Sequence, residues 1–189
     1  METKLSSKIL YSGLLKKYAG KQAAILGEVT MEDEIEQARY RTYQALRSPY
    51  YKKAYIKNGL SFDAELPDDY VPTTTHVRRI DALVFEGPQR TAVEIKISRA
   101  DFFRDTLEKR SAWMRHTNRF VYLTPKGLIK LDEVPDNCGL WEYDPATRKV
   151  TSVKNAKLNK DVQDFPASMV KYFAWRAFIA ENKNGRYNY

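Results

Sequence analysis

The alternation of apolar and polar positions is clearest in the middle of the chain. Residues 79–85 and 90–97 are each largely apolar over a strand-like length, and Glu-Gly-Pro-Gln at residues 86–89 has turn chemistry. These segments predict a β-hairpin. Three charged residues, Asp81, Glu94 and Lys96, stand inside it, where charge is unusual.

Helical periodicity dominates the first 60 residues. Apolar side chains at helical spacing predict a short basic amphipathic helix at residues 6–18. A second helix is predicted to begin at Thr30, which forms a capping-box pattern with Asp33. A third is predicted from Ser48-Pro49 to Asn58-Gly59.

The chain after the hairpin predicts further helices and strands. The period becomes helical after Lys96, and a helix of about five turns is predicted from Ser98, with Asp101 completing a capping box. The other predicted elements are a polar loop at residues 60–75 that enters a strand near Thr74, short strands at 119–123, 139–143 and 149–153, and a helix at 166–181.

Composition and charge narrow the class of protein. With 189 residues, 43% hydrophobic and 30% charged, the chain is expected to form one soluble globular domain. Its net charge of +8 favours a polyanionic partner, first of all nucleic acid. No apolar run approaches the roughly 20 residues of a membrane-spanning helix, and no secretory leader is visible. The single Cys138 excludes an internal disulfide and zinc bound through several thiolates, which favours a reducing cytoplasm.

The three charges of the hairpin form a candidate site. A strand's period of two places Glu94 and Lys96 on one face, and pairing across the turn brings Asp81 beside them. Two carboxylates and one ammonium on rigid strands predict a divalent-metal site with a neighbouring cation. The plainer alternative is a solvent-facing charge pair contributing less than about 1 kcal/mol.

Spacing alone does not distinguish this site, because an acidic residue two positions before a lysine is common in a charged chain. Glu2-Thr3-Lys4 and Glu181-Asn182-Lys183 show the same spacing. Neither lies on a strand that follows an aspartate-bearing strand. The context therefore separates Glu94-Ile95-Lys96 from the other two.

With that context, the segment resembles the core of the PD-(D/E)XK nuclease superfamily. Asp81 is followed thirteen residues later by Glu94-Ile95-Lys96, then by a predicted helix and strand, and Ile80 stands where the motif usually has proline. A closer resemblance, to MmcB-like DNA repair proteins, covers about residues 76–145. It is carried by Val93-Glu94-Ile95-Lys96, Ser98, Asp101-Phe102, Asp105, Lys109, Trp113, Arg119-Phe120, Pro125, Val134-Pro135 and Gly139-Leu140.

The resemblance implies an α/β fold with a restriction-endonuclease-like core, in which helices flank a mixed central β-sheet. The resemblance places the nuclease-like core at residues 71–145 and has no counterpart for the first 60 or the last 40 residues. The pattern of the chain predicts a single domain with a helical N-terminal part at residues 1–60 and a strand plus C-terminal helix at 146–189. The helical parts at both ends would extend the core.

The same resemblance implies a metal-dependent site. The carboxylates of Asp81 and Glu94 and the backbone carbonyl of Ile95 would bind one or two Mg²⁺ or Mn²⁺ ions. Lys96 would orient or help to deprotonate the attacking water, a role suited to a lysine whose pKa is lowered by its surroundings. Many members also use a glutamate from an N-terminal helix, for which Glu28, Glu32 and Glu34 are equal candidates.

Four further residues are candidate nucleic-acid contacts. The resemblance places a lysine at position 109, from which Lys109 would reach a phosphate, with a solvated helix face as the alternative. Ser98 is a helix cap first and a site residue second. Lys52 and Lys53 alternate with tyrosines on a predicted helix, a pattern that suits base stacking and phosphate neutralisation but also ordinary packing.

The expected function is a Mg²⁺- or Mn²⁺-dependent nuclease that hydrolyses DNA phosphodiester bonds in repair, recombination or processing. The alternative is a non-catalytic nucleic-acid-binding accessory protein that keeps the nuclease fold. DNA strandedness, an RNA substrate and exonuclease or endonuclease action stay open, and no membrane partner is expected.

Overall fold

A six-stranded sheet forms the centre of the fold in our computed structural model, which describes residues 5–72 and 76–183. The strands lie in chain order across it. They are β1 (Ala23–Glu32), β2 (Val77–Glu86), β3 (Gln89–Ile95), β4 (Arg119–Pro125), β5 (Cys138–Asp144) and β6 (Lys149–Lys154).

The sheet is mixed. β2 pairs with β3 in antiparallel fashion, which confirms the predicted hairpin, and β5 pairs with β6 in the same way. β3, β4 and β5 are parallel to one another. Parallel neighbours need a crossover connection, and two helices supply it between β3 and β4.

Six α-helices accompany the sheet in the described part of the chain. They are α1 (Ser7–Tyr18), α2 (Glu34–Arg47), α3 (Pro49–Lys57), α4 (Arg99–Phe103), α5 (Leu107–His116) and α6 (Ala167–Lys183), together with a 3-10 turn at Leu131–Glu133. None of these described helices is long and apolar enough to cross a membrane.

The two faces of the sheet have different roles. Leu10, Leu14 and Tyr18, spaced one helical turn apart on α1, pack against side chains that include Val93 and Ile95 of β3. Glu94 lies between these two residues and therefore projects to the opposite face, where Phe102 of α4 and Trp113 of α5 are buried. The candidate site belongs to this second face.

The chain divides into two compact units. The first contains the described residues up to 27 and from 80 onward, and the second contains residues 28–79. In the first unit, Phe173 of α6 packs edge-on against Phe85 and Phe165. In the second, the Tyr55 hydroxyl of α3 donates to Gln44 of α2.

The predicted helix start at Thr30 is wrong, and β1 was missed. Val29 and Met31 are buried on either side of exposed Thr30, which is strand alternation. α2 begins only at Glu34, after Asp33, whose carboxylate accepts a hydrogen bond from Arg78 Nε at 3.1 Å. The N-terminal 60 residues are therefore not wholly helical.

The predicted five-turn helix after Ser98 is also interrupted. Ser98 does cap α4, accepting a hydrogen bond from Asp101 N at 3.2 Å. The helix then ends at Phe103, and Thr106 caps a separate α5 by accepting from Lys109 N at 3.4 Å. The strand entry expected near Thr74 lies outside the described residues.

Candidate functional site

The predicted hairpin brings Asp81 to Glu94. The last register pair between β2 and β3 is Ala82 with Val93, so Asp81 and Glu94 are the next residues on the two strands. The backbone N–H of Ile95 donates to Asp81 Oδ2 at 2.7 Å, which holds this carboxylate against β3. The two acidic side chains are therefore neighbours across one strand pair.

Lys96 lies beside Glu94, as the strand alternation predicts. Its Nζ is 3.0 Å from Glu94 Oε1, and the two side chains are only 7% and 5% exposed. This burial excludes the alternative of a solvent-facing charge pair, because both groups have lost most of their water.

The break between α4 and α5 adds a third carboxylate. Asp105 lies in this break with its side chain fully buried, and its Oδ1 is 3.7 Å from Lys96 Nζ. Its Oδ2 accepts hydrogen bonds from the Tyr122 hydroxyl at 2.5 Å and from Arg110 at 3.3 Å. Asp105 is thus a fixed counter-charge for the lysine.

Lys109 approaches the same cluster from α5. Its Nζ donates to Glu94 Oε1 and lies 3.8 Å from Asp105 Oδ1, so two ammonium groups meet at one glutamate oxygen. Because Thr106 caps α5, Lys109 stands in the first turn of this helix, and its side chain points inward to Glu94. We call Asp81, Glu94, Lys96, Asp105 and Lys109 the carboxylate–lysine cluster.

Charge and burial perturb the titration of this cluster. Burial and, after it, the Asp81 carboxylate raise the pKa of Glu94, although Lys109 and Lys96 oppose this shift. Burial lowers the pKa of Lys96, but contact with Glu94 and the charges of Asp105 and Asp101 outweigh it, so the net pKa is raised. The expectation of a lowered Lys96 pKa is therefore wrong for this arrangement.

The donor set can be tested for a divalent cation. Glu94 Oε2 is buried and has no hydrogen-bond partner in the described part of the protein, which is costly for a carboxylate oxygen. Asp81 and Glu94 also repel each other. An oxygen-seeking cation would relieve both effects, so this pair fits Mg²⁺ or Mn²⁺ with water completing the shell.

Among residues 5–72 and 76–183, no group of three or more His, Cys, Asp or Glu side chains is arranged to hold a metal ion. Of the three candidates for a third acidic ligand, Glu28 and Glu32 lie on β1 and Glu34 begins α2. All three belong to the second unit.

The other predicted contacts fall in different places. Ser98 caps α4, as its pattern predicts. Lys52 and Lys53 are exposed on α3 of the second unit, where the neighbouring Tyr51 and Tyr55 rings stack with centroids 6.2 Å apart. The interleaved aromatic and basic surface is therefore present and open to solvent.

The sequence did not assign site roles to Asp105, Arg110 and Tyr122. Asp105 was hidden inside a predicted continuous helix, whereas Thr106 could have indicated a new cap. Tyr122 pairs with Glu94 in the parallel register between β3 and β4, which only the sheet topology reveals. Burial and, next, the hydrogen bond to Asp105 raise the pKa of Tyr122 and keep its phenol neutral.

Comparison with known proteins assigns neither a family nor a function to the chain. No protein-family description matches the chain, and a search of curated proteins gives no match. Among solved structures, it is similar to a protein of unknown function from Silicibacter pomeroyi, at 15% identity and a TM-score of 0.49, over 100% of this chain and 98% of that one.

Proposed function

We propose that this protein is a Mg²⁺- or Mn²⁺-dependent nuclease that hydrolyses phosphodiester bonds of DNA on a restriction-endonuclease-like core. The observation that carries the proposal is the convergence of Asp81, Glu94 and Lys96 on one buried sheet face, with Glu94 Oε2 unpartnered among the described residues. The order of these residues along the chain is that of the PD-(D/E)XK motif.

Asp81, Glu94 and the main-chain carbonyl of Ile95 would hold the metal ion. A divalent cation bound there would lower the pKa of a coordinated water and offset the charge on the attacked phosphate. Asp81 is already oriented by the Ile95 N–H at 2.7 Å, so its carboxylate needs little reordering.

Lys96 would act as an ammonium group. Because its pKa is raised by Glu94 and the two aspartates, it remains protonated at neutral pH. It is therefore suited to orienting the attacking water and neutralising phosphate charge rather than to removing a proton. Asp105, anchored by Tyr122 and Arg110, positions this ammonium without touching the substrate.

Lys109 supports the second candidate, a non-catalytic nucleic-acid-binding protein with the same fold. Its ammonium shares Glu94 Oε1 with Lys96, so two cations already balance this carboxylate without a metal. In that case the carboxylate–lysine cluster would be a structural ion network. The exposed surface of α3 that carries Lys52 and Lys53 would then bind the nucleic acid.

Cleavage assays distinguish the two candidates. Labelled single-stranded, duplex and branched DNA, and single-stranded RNA, would be incubated with Mg²⁺ or Mn²⁺ and with wild type, Asp81→Ala or Lys96→Ala. A nuclease predicts DNA cleavage that each substitution reduces by about 10²- to 10⁴-fold. Asp132→Ala and Lys160→Ala, at exposed positions, serve as charge-matched controls.

Activity that survives both site substitutions would overturn the proposal, since a contaminating nuclease would then explain it. No cleavage and no divalent-ion binding, with salt-sensitive DNA binding retained, would favour the non-catalytic candidate. Cleavage confined to RNA would keep the site and change the substrate. Circular dichroism of every variant separates these outcomes from misfolding.

A further inference from the structure

A groove on the other face of the sheet is lined by cations. Two adjoining cavities, of about 630 and 640 Å³, lie between α1 and the turn that joins β5 to β6, and both are lined by Gly13, Lys16 and Arg148. Lys17, Lys21 and Lys149 line the larger one. Among the residues that the structure describes, no carboxylate lines either cavity. We call this surface the basic groove.

The walls of the basic groove are closely packed. A Cβ atom at Gly13 would come within 2.6 Å of the Tyr143 ring, so glycine lets α1 pack directly on β5. Lys17 extends along this contact, with its Nζ 5.1 Å from the centroid of the Trp141 ring and 3.4 Å from the Val150 carbonyl oxygen. The cations thus project from packed elements.

Ordinary structural roles explain only part of this charge. Lys16 and Lys17 lie in the last turn of α1, where cations favour the helix dipole. Lys149 is on β6, the outermost strand in the sheet order, where lysine discourages edge pairing. Lys21 Nζ lies 5.0 Å from the centroid of the Tyr18 ring, which is a cation–π contact. None of these reasons applies to Arg148.

Like-charge crowding is visible at Lys17. Burial and, after it, the charge of Lys21 lower the pKa of Lys17, with Glu86 opposing the shift. Clustering cations in this way carries an electrostatic cost that a bound anion would offset.

The cations come from the end of α1, the loop after it, the β5–β6 turn and the first residue of β6. A row of this kind suits several successive charges better than one isolated anion. The net charge of +8 indicates the same class of ligand for the whole chain. We propose that the basic groove binds the phosphodiester backbone of a nucleic acid, as a contact separate from the carboxylate–lysine cluster.

The groove and the cluster lie on opposite faces of the sheet, because α1 covers the face to which Val93 and Ile95 project, whereas Glu94 projects to the other. The groove would therefore hold nucleic acid without presenting it to Glu94. This inference does not require the cluster to be catalytic.

The test is a binding measurement with a matched pair of double variants. Fluorescence anisotropy of labelled duplex DNA would be titrated at several salt concentrations with wild type, Lys16→Ala/Arg148→Gly and Lys8→Ala/Lys160→Ala. Glycine is used at position 148 because Arg148 has a left-handed φ of 55°. Lys8 and Lys160 are exposed and line neither cavity.

The groove double variant is expected to weaken binding on the order of 10- to 100-fold near 0.1 M salt and to reduce the slope of log K against log salt by about 2. The control pair should change both quantities much less. Both expectations hold whether or not the protein cleaves DNA.

Equal losses in the two double variants would overturn the proposal, because binding would then follow net charge alone. If the groove double variant loses binding to anionic phospholipid vesicles while its DNA binding is unchanged, the proposal is overturned in favour of a membrane surface as the ligand. Since nuclease activity is read on Asp81→Ala and groove binding on Lys16→Ala/Arg148→Gly, failure of one proposal is distinguishable from failure of the other.

Discussion

Lys96 Nζ lies 3.0 Å from Glu94 Oε1 in a pair whose side chains are almost fully buried. A buried ion pair gains little unless further polar groups complete it. Here Asp105, Tyr122 and Lys109 surround the pair, and Asp81 faces it across the hairpin. The same groups determine both the stability of this face and the chemistry proposed for it.

Asp105→Asn should destabilise the fold by about 3–5 kcal/mol, because it removes a fully buried counter-charge from Lys96, Lys109 and Arg110. Urea unfolding followed by circular dichroism measures this loss. Asp101→Asn is the control: its carboxylate is 38% exposed and 3.8 Å from Lys96 Nζ, so the cost should be at most about 1 kcal/mol. Equal costs for the two variants would contradict a positioning role for Asp105.

Lys109→Met should strengthen Mn²⁺ binding, because it removes one of the two ammonium groups that share Glu94 Oε1. We expect the Kd, measured by isothermal titration calorimetry, to fall by about tenfold or more. Lys109→Arg keeps the charge and should bind Mn²⁺ as wild type does. An unchanged or higher Kd in Lys109→Met would show that this lysine does not compete with the cation.

Tyr18 should make the protein less stable at alkaline pH. Burial, with a smaller contribution from Glu86, raises the pKa of Tyr18 to about 12, whereas an unfolded tyrosine titrates near pH 10. Between these values the folded state binds the proton more tightly, so the free energy of unfolding falls as pH rises, by up to about 2–3 kcal/mol.

Tyr18→Phe should remove this part of the alkaline loss. The measurement is the free energy of unfolding from pH 8 to 12 for wild type, Tyr18→Phe and the control Tyr50→Phe. Tyr50 is 75% exposed, so its substitution should leave the slope unchanged. Parallel curves for all three proteins would show that the folded state does not retain the Tyr18 proton.

The local sequence determined those helices and strands for which the apolar periodicity and the turn or helix-start residues indicate the same structure. The hairpin follows from two apolar runs around Glu86-Gly87-Pro88-Gln89, and its period of two places Glu94 and Lys96 on one face. Ser98 marks the start of α4 because its side chain caps the helix, and Pro49 marks the start of α3 because its ring fixes a helical φ at the first position. The position of Asp81 beside Glu94 then follows from the antiparallel pairing of the two strands.

Only the tertiary structure decided the surroundings of these residues. The alternation of Val29 and Met31 makes β1 a strand, although Thr30 and Asp33 satisfy a helix-start pattern, because burial of one face outweighs local propensity. Asp105 lies in the break between α4 and α5, and the parallel pairing of β3 with β4 places Tyr122 beside Glu94. The Tyr122 hydroxyl can therefore donate to Asp105. The sequence alone predicts that Lys96 shares a strand face with Glu94. The environment of Lys96, and therefore its pKa, depends on contacts with residues that only the tertiary structure brings together.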